Sequence, residues 1–358
     1  MQFDFLFQFI RTHMRKYLVV IMMVITSMSF SQDIHFSQIQ ESPLWLNPAN
    51  AGFMNGYLRA VANYRNQWGA MGNAFQTMAI SVDAATLKST KRKAYLGIGL
   101  FVFNDKAGTA KIGSTQAQLH LNAILKTGKK SKLGGAIYVG VNQNTANYAA
   151  LTFGNQYNGK DIDQTIGSGE LATYSSFITS DVGAGINYEF TSANVDMLRD
   201  DIFSIKVGGA VHHLNQPLQQ FSSGSSYRLP MRFVGNVQVR IDIKETKLAI
   251  LPSLIYLRQA TANEITIGTH IRYRLKNPTK VTGYNSETGL NVGVYYRVGD
   301  AIIPQVNFDM GKYAIGLAYD LNISKYKQVS KYQGGFEIYL KFMSLDDALF
   351  KRKREHGL

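Results

Sequence analysis

The stretch FVGNVQVRIDIK, residues 233–244, decides the fold. Taken by parity, it places Phe233, Gly235, Val237, Val239, Ile241 and Ile243 on one side and Val234, Asn236, Gln238, Arg240, Asp242 and Lys244 on the other. A period of two is the mark of a β-strand, because successive side chains leave opposite faces. One face suits hydrocarbon and the other suits water. Ile178, Val182, Ala184, Ile186, Tyr188 and Phe190 repeat the split against Thr179, Asp181, Asn187 and Glu189. Ile265, Ile267, Ile271 and Tyr273 do so against Thr266, His270, Arg272 and Arg274, and Phe336, Ile338, Leu340 and Phe342 against Glu337, Tyr339 and Lys341.

These runs reach roughly ten residues, the length a tilted strand needs to cross a bilayer and longer than the usual strand of a soluble sandwich. Short polar links such as Val298-Gly299-Asp300-Ala301 and Asp309-Met310-Gly311-Lys312 join them. A spanning sheet has no water to satisfy an open edge, so it must close on itself. The fold expected is all-β, a transmembrane antiparallel β-barrel of about fourteen strands near 57–68, 74–84, 94–104, 112–126, 132–143, 175–190, 201–213, 228–243, 247–259, 263–275, 289–298, 301–309, 312–323 and 334–343.

Upstream stands an export signal, and an exported chain of alternating strands is expected in the outer membrane. Arg11, Arg15 and Lys16 precede the apolar run Leu18–Met28, and Ser29-Phe30-Ser31 offers small residues for cleavage before Gln32. Met14 opens a more conventional signal and is a possible true start. The organisation expected is 1–31 signal peptide, 32–56 an N-terminal plug or periplasmic segment, 57–343 barrel and 344–358 a basic periplasmic tail. The chain has no Cys, which removes lipoprotein anchors, disulfides and thiolate metal sites, and carries 20 Tyr and 20 Phe.

With the N-terminus in the periplasm, the long connections 144–174 and 214–227 fall outside the cell. Lys88, Lys91, Arg92 and Lys93, then Lys126, Lys129, Lys130 and Lys132, then Lys244, Lys247, Lys276 and Lys280, and finally Lys351, Arg352, Lys353 and Arg354 fall on the periplasmic rim. Lys325, Lys327 and Lys331 break the pattern. Lys91, Arg92, Lys93, Lys129, Lys130, Lys132 and Lys351–Arg354 are candidates for docking an acidic periplasmic partner, with contact to anionic headgroups the alternative. In the lumen, Arg65, Arg240, Arg272, Arg274 and Arg297 are expected to pair with Asp83, Asp181, Glu189, Asp242, Asp320 and Glu337.

The mature chain opens on DIHFSQ (33–38) and PLWLNPANAG (43–52), followed by YRNQW (64–68). Asp33, His35, Phe36, Ser37, Gln38, Pro43, Trp45, Asn47, Pro48 and Gly52, with Tyr64, Arg65, Asn66, Gln67 and Trp68, resemble the opening signatures of the PorP/SprF family of type IX secretion membrane proteins. GVYYR (293–297), DAIIP (300–304) and GLAYDLNIS (316–324) also resemble that family. The resemblance implies a non-enzymatic outer-membrane part of a secretion and gliding-motility apparatus. It implies type IX secretion components, or a large secreted adhesin with a C-terminal sorting domain, as partners.

Pro43 and Pro48 block ladder bonding in 32–52, whereas Phe36, Leu44, Trp45 and Leu46 need burial. That segment is therefore expected to fold into the periplasmic mouth, with His35, Gln38 and Asn47 bonded to lumen groups. No enzyme site, cofactor or metal is expected. His212 and His213, being adjacent, should point to opposite faces; Asp161 and Asp163 only faintly echo a calcium loop; Gly97-Ile98-Gly99 lacks the helix a nucleotide site requires. Nucleic acid is an improbable partner at this address, and outer-membrane lipid an expected one. The alternative function is a transporter barrel for a small hydrophobic ligand.

Overall fold

The computed structural model describes residues 33–69, 75–88, 92–108, 112–145, 151–163, 165–167, 176–192, 202–220, 227–276, 288–324 and 330–344. The signal region, Lys91 and the tail beyond Ser344, including Lys351–Arg354, lie outside them. The chain divides after Asp33, and Ile34–Leu358 forms one unit.

Fourteen antiparallel strands close into a barrel: β1 (Leu58–Gln67), β2 (Phe75–Thr86), β3 (Ala94–Ala107), β4 (Ile112–Lys126), β5 (Ser131–Thr145), β6 (Phe177–Thr191), β7 (Phe203–His212), β8 (Arg232–Asp242), β9 (Leu248–Gln259), β10 (Ala262–Lys276), β11 (Thr288–Arg297), β12 (Ala301–Met310), β13 (Tyr313–Asn322) and β14 (Gln333–Ser344). Each strand pairs with its sequence neighbours, and β1 meets β14 in the register Leu58↔Ser344 to Gln67↔Gly335. Closure leaves no edge to satisfy, which is the condition for a sheet in lipid.

Alternation dictates the two surfaces. Ile178, Ile186, Phe233, Ile267, Ile271, Val294 and Leu340 are exposed on the outer wall, whereas Gln118, His120, Asn122, Asn187, Asn236, Asp320 and Glu337 are buried within. Strand starts follow local chemistry. β8 begins at Arg232 rather than 228, because Arg228 bridges back to Leu218 and Pro230 has no N–H to give a ladder. Pro252 and Pro304 lie inside β9 and β12. The β8–β9 ladder skips from Ser253 to Ile250 and the β12–β13 ladder from Ile302 to Gln305, so each proline costs bonds on one side only.

Connections of unequal length give the barrel a direction. The links 146–176 and 213–231 share one end with the short turns 260–261 and 298–300, and β1 begins and β14 finishes at the other. Outer-membrane barrels keep short turns in the periplasm and long loops outside, so the terminal end is periplasmic.

Candidate functional site

The chain's own N-terminal segment occupies the lumen, leaving beside Gln40 and Glu41 a hollow of about 230 Å³ that His270, Arg272, Tyr295 and Asp309 help to line. Ile39–Glu41 forms a 3-10 turn, Pro43–Leu46 one helical turn and Pro48–Asn50 a second 3-10 turn. Proline suits the first position of such turns, where an N–H would go unbonded. The Asn47 side chain caps the last turn by accepting from Ala49 N at 2.8 Å, and Asn50 Nδ2 donates to Pro43 O at 2.8 Å, tying the piece into one knot.

Phe36, Ile39, Leu44, Trp45, Leu46 and Ala51 form one apolar cluster with Phe101, Phe103, Ala210, Val234 and Ile255 of the wall. The Trp45 ring stacks on Phe101 with centroids 5.7 Å apart and meets Phe103 edge-on at 5.4 Å. The Arg232 guanidinium lies 3.7 Å over the same ring and donates to Trp45 O at 3.3 Å. A cation on an indole face away from water is worth about 2 kcal/mol.

Polar bonds fix the segment along the whole length of the barrel. At the outer end His35 Nδ1 stands 3.0 Å from Glu264 Oε2. Burial, with Arg297 nearby, lowers the pKa of His35, so the imidazole is neutral at pH 7. Next, Glu337 accepts Ser37 N at 2.5 Å and Gln38 N at 3.1 Å, while Arg65 reaches Ser37 Oγ at 3.3 Å and Asp320 at 3.2 Å. Asn47 Nδ2 donates to Ile186 O and Gly209 O at 2.9 and 3.2 Å. Near the periplasmic end Asn122 Nδ2 donates to Ala49 O and Ala51 O, both at 2.8 Å. Asp83 accepts Gly52 N at 2.8 Å and holds Arg59 through two bonds of 2.9 Å. Lys88 Nζ, in the β2–β3 turn, closes the path by donating to the carbonyls of Met54, Asn55 and Gly56 at 2.9, 3.1 and 3.0 Å.

The first signature therefore converges on one structure, though not where periplasmic-mouth packing would put it. His35 sits at the opposite end, beside the 260–261 and 298–300 turns, and the segment runs through the barrel to Met54. Its alternation of apolar anchors and carbonyl-rich turns matches wall partners at every depth, which a cap on one mouth would leave unused. Gln38 is held by its backbone N–H, and its side-chain amide has no hydrogen bond in the structure.

Of the second signature, Arg65 carries the contacts. It also donates to Gln67 Oε1 at 2.7 Å, and Trp68, with φ at +56°, ends β1 and packs edge-on against Phe75. The expected lumen pairs form as Arg65–Asp320, Arg297–Asp320 at 3.1 Å, Arg274–Asp242 at 3.0 Å and Arg240–Asp242 at 2.8 Å, with Arg272 paired to Asp309 instead, while Glu189 takes Lys132 at 3.3 Å rather than an arginine. Lys132 thereby leaves the docking set: it points inward, 4.6 Å over the Phe53 ring. Arg92, Lys93, Lys129 and Lys130 are exposed at the periplasmic end.

His212 and His213 do not point apart. His213 has φ at +58°, which ends the strand and swings its ring back to Asp181 at 2.8 Å, so both are buried. Asp181 also accepts Tyr138 OH at 2.9 Å and Gln116 Nε2 at 2.5 Å. In the outer loop Asn158 Oδ1 accepts Lys160 N and Asp161 N, and Asp163 Oδ1 accepts from Thr165, so these side chains organise turns. Among the described residues, no three His, Cys, Asp or Glu side chains are grouped to hold a metal ion.

Glycine supplies the contacts that sequence reasoning missed. A Cβ on Gly97 would lie 1.9 Å from Ala51 O and 3.1 Å from Gly52 Cα, and Gly52 itself has φ at +63°. The plug backbone is laid directly on the wall backbone at Gly97, whereas at Gly99 a Cβ would meet side chains, Leu44 Cδ1 at 2.9 Å first.

The sequence model of the type IX secretion system membrane protein family PorP/SprF matches residues 28–342. No curated protein matches the chain. Among solved structures, a Pseudomonas aeruginosa FadL homologue is similar at 10% identity, with 85% of this chain and 94% of that one covered and a TM-score of 0.43. The Pseudomonas putida toluene transporter TodX is similar at 9% identity, with 83% and 92% covered and a TM-score of 0.41. BamA from Haemophilus ducreyi lacking POTRA domains 1–3 is similar at 9% identity, with 80% and 70% covered and a TM-score of 0.41.

Proposed function

The chain belongs to the PorP/SprF family of type IX secretion system membrane proteins, and from that premise we propose that it is a non-enzymatic scaffold, the outer-membrane seat to which a large surface adhesin is attached for secretion and gliding. As a type IX component of the outer membrane it works with other parts of that machine. The observation that carries the proposal is the occupied lumen. Ile34–Phe53 is bonded to the wall at both ends and between them, and Trp45, Leu44 and Leu46 are almost wholly buried. Such a barrel offers a partner its rims and loops, while the plug takes up space in the lumen that a solute would need, which weighs against the transporter reading.

The test is capture of the tagged full-length protein from outer membranes at low and high salt. Co-recovery of other secretion components together with one very large surface protein bearing a C-terminal sorting domain supports the reading. Recovery of neither, with ligand-sensitive conductance in planar bilayers, overturns it in favour of transport. Contacts made by exposed charge weaken as salt shortens the screening length from about 10 Å at 0.1 M to about 3 Å at 1 M.

A further inference from the structure

The outer wall carries a recess that none of the described residues fills. About 210 Å³ in volume, it is lined by Leu87, Ala94, Tyr95, Leu96, Ala123, Ile124 and Leu125 at the periplasmic end of β3 and β4. Its origin is plain from the register. Ala94 faces Leu125 and Leu96 faces Ala123, so two short side chains sit diagonally between two long ones and leave a hollow. Leu87 forms the third side. It is held at φ +57° and is 57% exposed, a conformation a bulky residue rarely adopts.

Directly below lie the cations. Lys126 N donates to Lys93 O at 2.7 Å, which sets the β2–β3 and β4–β5 turns side by side. Arg92, Lys93, Lys129 and Lys130 are exposed there, and neither 87–93 nor 126–132 contains an acidic residue. By contrast, the β8–β9 turn mixes Lys244 and Lys247 with Glu245. Lys88 belongs to the plug, since its ammonium is spent on three carbonyls.

We propose that the recess and the two basic turns form one binding site for an anionic phospholipid of the inner leaflet, an acyl chain lying over Ala94 and Ala123 and the phosphate held by Arg92, Lys93, Lys129 and Lys130. An apolar hollow in the hydrocarbon-facing wall joined to a headgroup-level cluster of one sign fits a molecule that is itself apolar at one end and anionic at the other. An acidic soluble polypeptide would satisfy the cations and leave the hollow unfilled. Basic residues at the membrane surface attract anionic lipid additively, and a clustered set gives selectivity over zwitterionic lipid.

Native mass spectrometry of the full chain in detergent, with phosphatidylglycerol and phosphatidylethanolamine of the same acyl chains added, reads the site. The wild type should retain phosphatidylglycerol in preference. Combined Arg92→Gln, Lys93→Gln, Lys129→Gln and Lys130→Gln should lower that preference by at least about tenfold. Ala123→Phe, which fills the hollow, should lower retention of both lipids. Heat-modifiable migration confirms that each variant is folded, and Arg92→Gln with Lys130→Gln alone serves if the fourfold variant is not. Equal retention of the two lipids by the wild type, or an undiminished preference in the charge variant, overturns the proposal. Salt-sensitive binding of polyglutamate without lipid preference overturns it too and points to an acidic protein.

Discussion

Replacing Gly97 by valine tests whether the plug is seated on the wall as the structure has it. The new Cβ would stand 1.9 Å from Ala51 O and 2.6 Å from Ala51 C, both backbone atoms that no rotamer can move aside. Strand β3 is bonded to β2 and β4 along its length, so the plug is the side that yields. Relieving the overlap takes a shift of about 1 Å, beyond what the Gly52 N–Asp83 and Asn122–Ala51 bonds, both 2.8 Å, tolerate as hydrogen bonds. Overpacking costs about 1–3 kcal/mol. The lost bond to a carboxylate adds about 1.5–3 kcal/mol and the neutral one about 1 kcal/mol. The least of these sums is about 3.5 kcal/mol, or a few hundredfold in the open fraction of the segment.

Ser42→Cys supplies the reporter, because the protein has no cysteine and Ser42 Oγ makes no hydrogen bond that the change would lose. Ser42 moves with the clash site through Leu46 N–Ser42 O and Asn50–Pro43 O. Maleimide labelling of folded protein should accelerate by at least a few hundredfold when Gly97→Val is added. Gly135→Ala, where a Cβ meets nothing within 4 Å, should leave it unchanged. Unaltered labelling in a Gly97→Val protein that still shows heat-modifiable migration would refute the seating.

The same contacts set two further outcomes. Trp45→Ala removes the stacking on Phe101 and the Arg232 contact, and should destabilise the plugged state by about 3–5 kcal/mol, read as a lower temperature for the heat-modifiable shift. His35, whose pKa burial depresses in the folded protein, binds fewer protons there than in the unfolded chain below about pH 6.5. Its contribution is therefore present above that pH and lost as pH falls, so the wild type should lose more stability than His35→Gln between pH 7 and pH 5; equal losses in the same thermal assay count against a neutral buried imidazole.

The wall was legible in the sequence because hydrocarbon imposes parity on it. Ile265, Ile267 and Ile271 alternate with Thr266, His270 and Arg272 for no local reason but the two media they face. Where alternation ends, reading by parity fails. His213 comes directly after His212 and should face away, yet a left-handed backbone turns it back to Asp181. The plug is illegible for a related cause. Its turns are marked by Pro43 and Pro48, but its partners Asp83, Asn122, Asn187 and Glu337 are scattered over the chain, and each looks like any other lumen residue. Gly97 carried a usable signal: a glycine in mid-strand marks close approach of another backbone.

The placement of those partners couples the plug to closure of the barrel. The seam between β1 and β14 is where the first and last strands must find each other. Arg65 and Arg59 of β1 reach Ser37 and Asn50 O of the plug, while Glu337 of β14 accepts Ser37 N and Gln38 N, and Lys341 bonds Glu41 at 2.7 Å. Across the seam Arg65 stands opposite Glu337 in register. Each seam strand thus completes its inward-facing charges with the same segment. Removing the segment would take from Glu337 two of its backbone donors, Ser37 N and Gln38 N, each hydrogen bond being worth about 1 kcal/mol or more. Seating of Ile34–Phe53 and pairing of β1 with β14 therefore stabilise one another, so that loosening the plug is also loosening the place where the cylinder is joined.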